Sequence, residues 1–183
     1  ALGTVIVALE VGLHIDGIKV GLRKFTGTKR RSEYVGRLET GATLFDDYAH
    51  HPTEIKKTLA AFRQRFKNKK IVCIFQPHTY SRTKILFDEF ITSFSDANTV
   101  ILSNIYPSLR ENPDPTVSSQ QLVEAMNRFK RAVFLPALPD VVEYIERKSY
   151  GEDTVIVTMG AGNIYKIATS LVVSPPAKAD ALA

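Results

Sequence analysis

The sequence predicts an α/β protein, a mostly parallel sheet with helices on both faces, preceded by a short helical remnant of another domain. Three observations carry this expectation. Continuous apolar runs at 71–75, 99–102 and 154–158 read as strands buried on both faces. Between them lie stretches with apolar residues every three or four positions, the period of amphipathic helices. Finally, 183 residues with 44% apolar and 23% charged content suffice for a self-sufficient core. Strand–helix alternation of this kind implies right-handed crossovers and a doubly covered sheet.

Taken in order, Leu2, Val5, Ile6, Ala8, Leu9 and Leu13 give a first helix, and 17–25 a second with Ile18, Leu22 and Phe25 on one side. Thr26-Gly27-Thr28 ends it. Two short helices cannot form a core alone and need a further body to pack against. From Glu33 the period shortens: Tyr34, Gly36 and Leu38 alternate with polar residues, Thr40-Gly41 turns, and 42–45 continues as a second strand. Pro52, followed by Glu54, starts a helix whose apolar stripe is Ile55, Leu59 and Phe62. After the strand at 71–75, residues 81–94 read as one helix with Ile85, Leu86, Phe90, Ile91 and Phe94 inward. The strand at 99–102 leads into a loop, 104–116, with three prolines, and then a helix over 117–129. A short strand at 132–135, a helix at 138–148, the strand at 154–158 and a helix at 164–172 complete the pattern. The Pro- and Ala-rich tail, 174–183, is expected to be mobile.

Composition narrows the classes of function. The single cysteine, Cys73, cannot form an internal bridge, which suits a reducing compartment. No apolar tract reaches the ~18 residues of a membrane span. The first residues lack the basic region and cleavage signal of a secretory leader, and the chain opens without Met inside an apolar periodic run, so it reads as a piece of something longer. The net charge is +5. Its densest run, Arg63, Arg65, Lys67, Lys69 and Lys70, sits where a helix ends, where cations complement the helix dipole. That explanation is preferred to a nucleic-acid surface, whose mark would be salt-sensitive binding.

In an open α/β sheet, ligands bind beyond the carboxyl ends of the strands. Those positions hold Asp46, Asp47, Tyr48, His50 and His51; Gln76, His78, Tyr80, Ser81 and Arg82; Asn104, Tyr106 and Arg110; and Gly160, Gly162 and Asn163. Three of the four histidines fall in two of these loops. Imidazoles beside carboxylates can ligate a metal, but adjacent side chains on a tight turn rarely face one ion, and Cys73 lies inside a strand. The helix start at Pro52, with histidines and Arg82 nearby, fits a phosphate- or carboxylate-binding cleft better. The plain alternatives are that His51 caps the helix and Asp46 holds a turn.

Gly160-Ala-Gly162 follows a strand and opens a helix, yet the third glycine of a dinucleotide fingerprint is replaced by Tyr165, and close packing explains the pair as well. Lys29-Arg-Arg31 lies between the helical start and the sheet. It is either a solvated charge run or a reach toward a polyphosphate. No Gly-x-x-x-x-Gly-Lys-Ser/Thr loop occurs, so a main phosphate cradle would lie elsewhere.

Four strings occur in order, Phe25-Thr-Gly-Thr-Lys-Arg-Arg31, Asp46-Asp-Tyr-Ala-His-His-Pro-Thr-Glu54, Phe75-Gln-Pro-His-Thr-Tyr-Ser-Arg82 and Thr158-Met-Gly-Ala-Gly-Asn163, and a shorter one, Asn104-Ile-Tyr106, lies between the last two. Together they resemble the C-terminal part of the Mur ligase family, and the third favours its alanine-adding branch. The branch that recycles murein tripeptide, and a free-standing anion-binding module, are the alternatives. The resemblance implies a cytoplasmic enzyme of peptidoglycan synthesis, with residues 1–32 ending a central ATP-binding domain and 33–173 forming a Rossmann-like amino-acid-binding domain. It implies UDP-N-acetylmuramate, L-alanine and ATP as substrates, with Mg2+ bound mainly by the missing domain, and no nucleic-acid or membrane partner. The isolated fragment would be inactive. Carried over by position, Arg31 approaches the ATP phosphates and Asp47 anchors the nucleotide side through the ribose. Tyr48, His50 and Arg82 line the alanine pocket, with His78 nearby. Which of Asp46 and Asp47 faces the cleft stays open, with Asp47 assigned. Some members carry arginine at the position of Thr79, which leaves Arg82 to meet the amino-acid carboxylate.

Overall fold

The computed structural model describes residues 2–25, 27–109, 111–128 and 131–172. The tail at 174–183 and Arg110, among the strand-end positions above, lie outside the described residues. The six strands are β1 (Glu33–Arg37), β2 (Thr43–Asp47), β3 (Lys70–Phe75), β4 (Thr99–Leu102), β5 (Ala132–Phe134) and β6 (Thr154–Met159), in the order β1-β2-β6-β3-β4-β5. β1 pairs antiparallel with β2 as an edge hairpin, and the other pairings are parallel. The α/β expectation therefore holds.

The pleat divides the core into two layers. Phe45, Cys73, Phe75, Val100, Leu102, Val155 and Val157 face the side covered by α3 (Pro52–Arg65), α4 (Tyr80–Ile85), α5 (Phe87–Ile91) and α6 (Ser119–Met126). Leu44, Val72, Ile74, Ile101 and Ile156 face α7 (Leu138–Lys148) and α8 (Tyr165–Leu171). Because both faces are covered, each central strand is apolar at successive positions, which is why these strands stand out as continuous runs. The parallel register aligns Asp47, Met159, Phe75 and Leu102 along one edge of the sheet, so the following loops converge there.

One helix differs from expectation. Residues 81–94 do not form a single helix: Leu86 leaves the helical backbone (φ −104°, ψ 22°), separating α4 from α5. The break shifts the helical phase. Ile85, expected inward, is 79% exposed, while Phe90 and Phe94 remain buried. The helix expected over 117–129 begins at Ser119, because Ser118 forms a capping box with Gln121.

At the start, α1 (Leu2–Glu10) buries none of its residues and α2 (Ile15–Lys24) only Ile18. Ala8, Leu13, Ile18, Leu22 and Phe25 line an apolar groove of about 500 Å3 between them. Among the described residues, no helix is long and apolar enough to cross a membrane.

The basic run behind α3 has a structural use beyond the dipole. Arg63 donates to the carbonyls of Lys69 (2.8 Å) and Asp96 (3.0 Å) and to Asn98 Oδ1 (2.6 Å), binding the end of α3 to the entries of β3 and β4. Arg63→Ala is expected to lower stability by about 1–3 kcal/mol, because it leaves partly buried acceptors without a donor. Exposed Lys67→Ala should stay within about 0.5 kcal/mol. Urea unfolding of the two variants checks this, and equal effects would reduce the run to surface charge.

Candidate functional site

At the carboxyl end of β2, two acids leave the strand almost completely buried, Asp46 at 3% exposure and Asp47 at 4%. A buried carboxylate needs partners. Asp46 accepts from Thr158 Oγ1 on β6 (2.6 Å) and from Arg30 Nε (2.9 Å). Burial pushes its carboxyl up, against the pull of Thr158 and Arg30. Asp47 accepts from Ser32 N (2.7 Å), Ser32 Oγ (3.1 Å) and Ala49 N (2.8 Å). Asp46 is thus aimed toward the β6–α8 turn and Asp47 toward the 30–32 link, and both hold that link to the sheet.

Arg30 does more than pair with Asp46. Its Nη2 donates to Gly160 O (2.5 Å), and its guanidinium carbon lies 4.9 Å from both the Tyr48 and Tyr165 ring centres. The Arg30 carbonyl in turn accepts from Tyr48 N (2.7 Å). Arg31, the next residue, is exposed, with its guanidinium carbon 5.5 Å from the Tyr48 ring on the open side of the link. The described hydrogen bonds and ion pairs include none to the Arg31 side chain, so its charge suits an anionic ligand.

From Tyr48 a row of rings crosses the edge. Tyr48 and His50 lie 5.3 Å apart, His50 and His78 6.3 Å, and His78 stacks on Tyr106 at 5.6 Å. His50 Nδ1 is 2.9 Å from Tyr48 O, which can only accept, so this contact places a proton on Nδ1, and Glu54 Oε2 lies 3.4 Å from the same nitrogen. Glu54 receives the N–H groups of His50 (3.0 Å) and His51 (3.2 Å). Partial burial raises the Glu54 carboxyl, but these donors and the charges of His50 and Arg31 outweigh it and hold it low. His51 takes the structural alternative: its Nδ1 accepts from Thr53 N and caps α3. Arg82, in the first turn of α4, places Nη1 2.5 Å from His78 O at the far end of the row.

The two glycines of the β6–α8 turn serve close packing. A Cβ on Gly162 would collide with Gln76 Oε1 and lie 2.7 Å from Tyr106 Cγ, and one on Gly160 would lie 2.7 Å from Gln76 O. Gln76 Nε2 donates to Asn163 Oδ1 (3.0 Å), fixing the turn against the end of β3.

The structure therefore brings together Tyr48, His50, His78 and Arg82, sets Arg31 and Asp47 on the side of the link, and turns His51 away. Among the described residues, no three His, Cys, Asp or Glu side chains gather as a metal site. Sequence reasoning does not single out Arg30 from its basic run, although a buried acid in a strand signals a missing cation. It also misses Tyr165 and Glu111, since their partners are distant in sequence.

Residues 30–162 match the family model described as Mur ligase, glutamate ligase domain. A UDP-N-acetylmuramate–L-alanine ligase of Clostridium acetobutylicum is 44% identical over 168 residues, covering 91% of this chain and 36% of the relative. The enzyme of the same name from Desulfitobacterium hafniense is 39% identical over 173 residues, covering 94% and 38%. The chain thus spans little more than a third of the curated relatives it matches. The crystal structure of UDP-N-acetylmuramate-alanine ligase from Thermotoga maritima superposes with a TM-score of 0.74 at 27% identity, over 91% of this chain and 34% of that one.

The site has a pH signature. Burial holds the His78 imidazole below its ordinary value of 6.5, with the charges of Arg82 and His50 adding to the effect. The folded state then binds fewer protons than the unfolded one, so stability falls as pH drops through 6.5 toward the lowered value. Thermal unfolding between pH 7.5 and 5.5 should show this loss, and His78→Gln should flatten it. An NMR titration of His78 at or above 6.5 would contradict the assignment.

Proposed function

The chain belongs to the Mur ligase family, and from that premise we propose that it is the amino-acid-binding part of an ATP-dependent ligase joining L-alanine to UDP-N-acetylmuramate in the cytoplasm. The observation that carries this is the row Arg31–Tyr48–His50–His78–Arg82, with one arginine at each end of the aromatic edge. Two separated cationic ends suit two separated anions, a nucleotide phosphate and an amino-acid carboxylate. The naming of the curated relatives favours alanine addition over murein tripeptide addition.

In this reading ATP supplies the phosphoryl group that activates the muramate carboxylate, and the alanine amine then displaces phosphate to form the amide. Arg31 extends from the link toward the nucleotide phosphates. Asp47, its carboxylate buried and taken up by Ser32 and Ala49, is assigned to the ribose side through the link it orders. Arg82 holds the alanine carboxylate with donors beyond the one given to His78 O, since a guanidinium carries five. Tyr48 and His50 wall the pocket. His78, kept neutral by its surroundings, adds no charge beside the amine that must attack. Positioning and fixed charge do most of the work in phosphoryl chemistry of this kind.

Mg2+ enters with the phosphates and is assigned to the remainder of the enzyme. So is the covering of the apolar groove between α1 and α2, the segment up to about residue 32 being assigned to the neighbouring nucleotide-binding domain. The 183 residues alone are expected to show no ATP-dependent ligation.

The test is kinetic, in the full-length enzyme. Arg82→Ala should raise the alanine KM by roughly tenfold or more, the loss expected for a charge-assisted contact, with the ATP KM little changed. Arg31→Ala should do the converse. An unchanged alanine KM in Arg82→Ala would remove the assigned role.

A further inference from the structure

The arginine assigned to the carboxylate sits on a weak support. α4 has only six residues, and its N-cap, Thr79, makes no side-chain bond to a backbone N–H of the helix it begins. A helix this short is not stable by propensity alone, and the orientation of its first turn sets the direction of Arg82.

The missing cap comes from elsewhere in the chain. Glu111, in the proline-containing loop after β4, places its carboxylate against this turn. Oε1 accepts from Thr79 Oγ1 (2.7 Å) and from Ser81 Oγ, and Oε2 from Ser81 N (3.3 Å). The two hydroxyls also lie 3.1 Å apart, so the three side chains form one cluster. Donation by Ser81 and Thr79 holds the Glu111 carboxyl low, so it stays charged at neutral pH. A second tie secures the same loop: Lys84 on α4 pairs with Asp114 at 3.0 Å, and Asp114 accepts from Thr116 N and Oγ1. The loop thus grips α4 at both ends, with Arg82 between the two grips.

We propose that Glu111 is a positioning residue for the amino-acid subsite, capping α4 from the neighbouring loop and thereby fixing the guanidinium of Arg82 over His78 O. This rests on the assignment of Arg82 to the alanine carboxylate. It also gives Thr79 a role: its hydroxyl anchors Glu111.

The experiment compares Glu111→Ala, Glu111→Gln and Arg82→Ala in the full-length ligase, varying alanine, ATP and UDP-N-acetylmuramate in turn. Glu111→Ala should raise the alanine KM about fivefold, the effect of one lost helix cap, while kcat and the other two KM values change less than about twofold. Glu111→Gln, which keeps one acceptor oxygen, should recover part of the loss. It decides the matter if the alanine variant does not fold. A lowered Tm with the alanine KM unchanged would reduce Glu111 to a structural role and overturn the proposal. So would a parallel rise in all three KM values. If Arg82→Ala leaves the alanine KM unchanged, it is the underlying site assignment that fails. If Arg82→Ala raises that KM while both Glu111 variants leave it alone, only the positioning role fails.

Discussion

The carboxyl edge of this sheet depends on one partly buried ion pair, Arg30 with Asp46. Asp46 lies inside the parallel ladder, opposite Thr158, where a lone carboxylate would be costly. Arg30 answers it from a residue with φ +56° and in the same posture holds the Gly160 carbonyl and two tyrosine rings. Removing one member of a fully buried pair typically costs about 3–5 kcal/mol, an upper bound here because 23% of the Arg30 side chain is exposed. Here it would also release three segments at once: the link at 30–32, the end of β2 and the turn after β6. Arg31 owes its direction to this anchor, since its neighbour on one side is clamped by Asp46 and on the other, Ser32, by Asp47.

The edge then divides its labour by charge. On the β2 side, acids are consumed internally, so the link's remaining outward group is the Arg31 cation. On the β3 side, no acid competes for the Arg82 guanidinium among the described ion pairs. Between them, a row of aromatic rings keeps the two cationic ends apart. Tyr48 serves both sides, lying against Arg30 and Arg31 at one edge and His50 at the other. Two anions can approach such an edge without sharing a charge.

Close approach is the second recurring device. Gly160 and Gly162 let Gln76 and Tyr106 press against the β6–α8 turn, which carries the ring stack of His78 and Tyr106 to the edge. A glycine pair after a parallel strand suggests a phosphate loop. Here the space that a side chain would need is filled by the protein itself, so the pair builds the wall of the site.

Much of the fold is legible in the residues. β3, β4 and β6 announce themselves as unbroken apolar runs, and α3 and α7 by a stripe bounded by Pro, acidic starts and basic ends, because burial and helix capping are written locally. The strand-end rule likewise gathers Tyr48, His50, His78 and Arg82 from their positions along the chain alone. What only the tertiary structure decided are the partners. Arg30 meets Asp46 sixteen residues away and Gly160 at 130, and Glu111 meets Ser81 at 30. The break at Leu86, which turns Ile85 outward, belongs to the same class. Periodicity records which face of a segment avoids water. A charge or hydroxyl has no such periodic trace, and its partner is chosen by the geometry that packing creates.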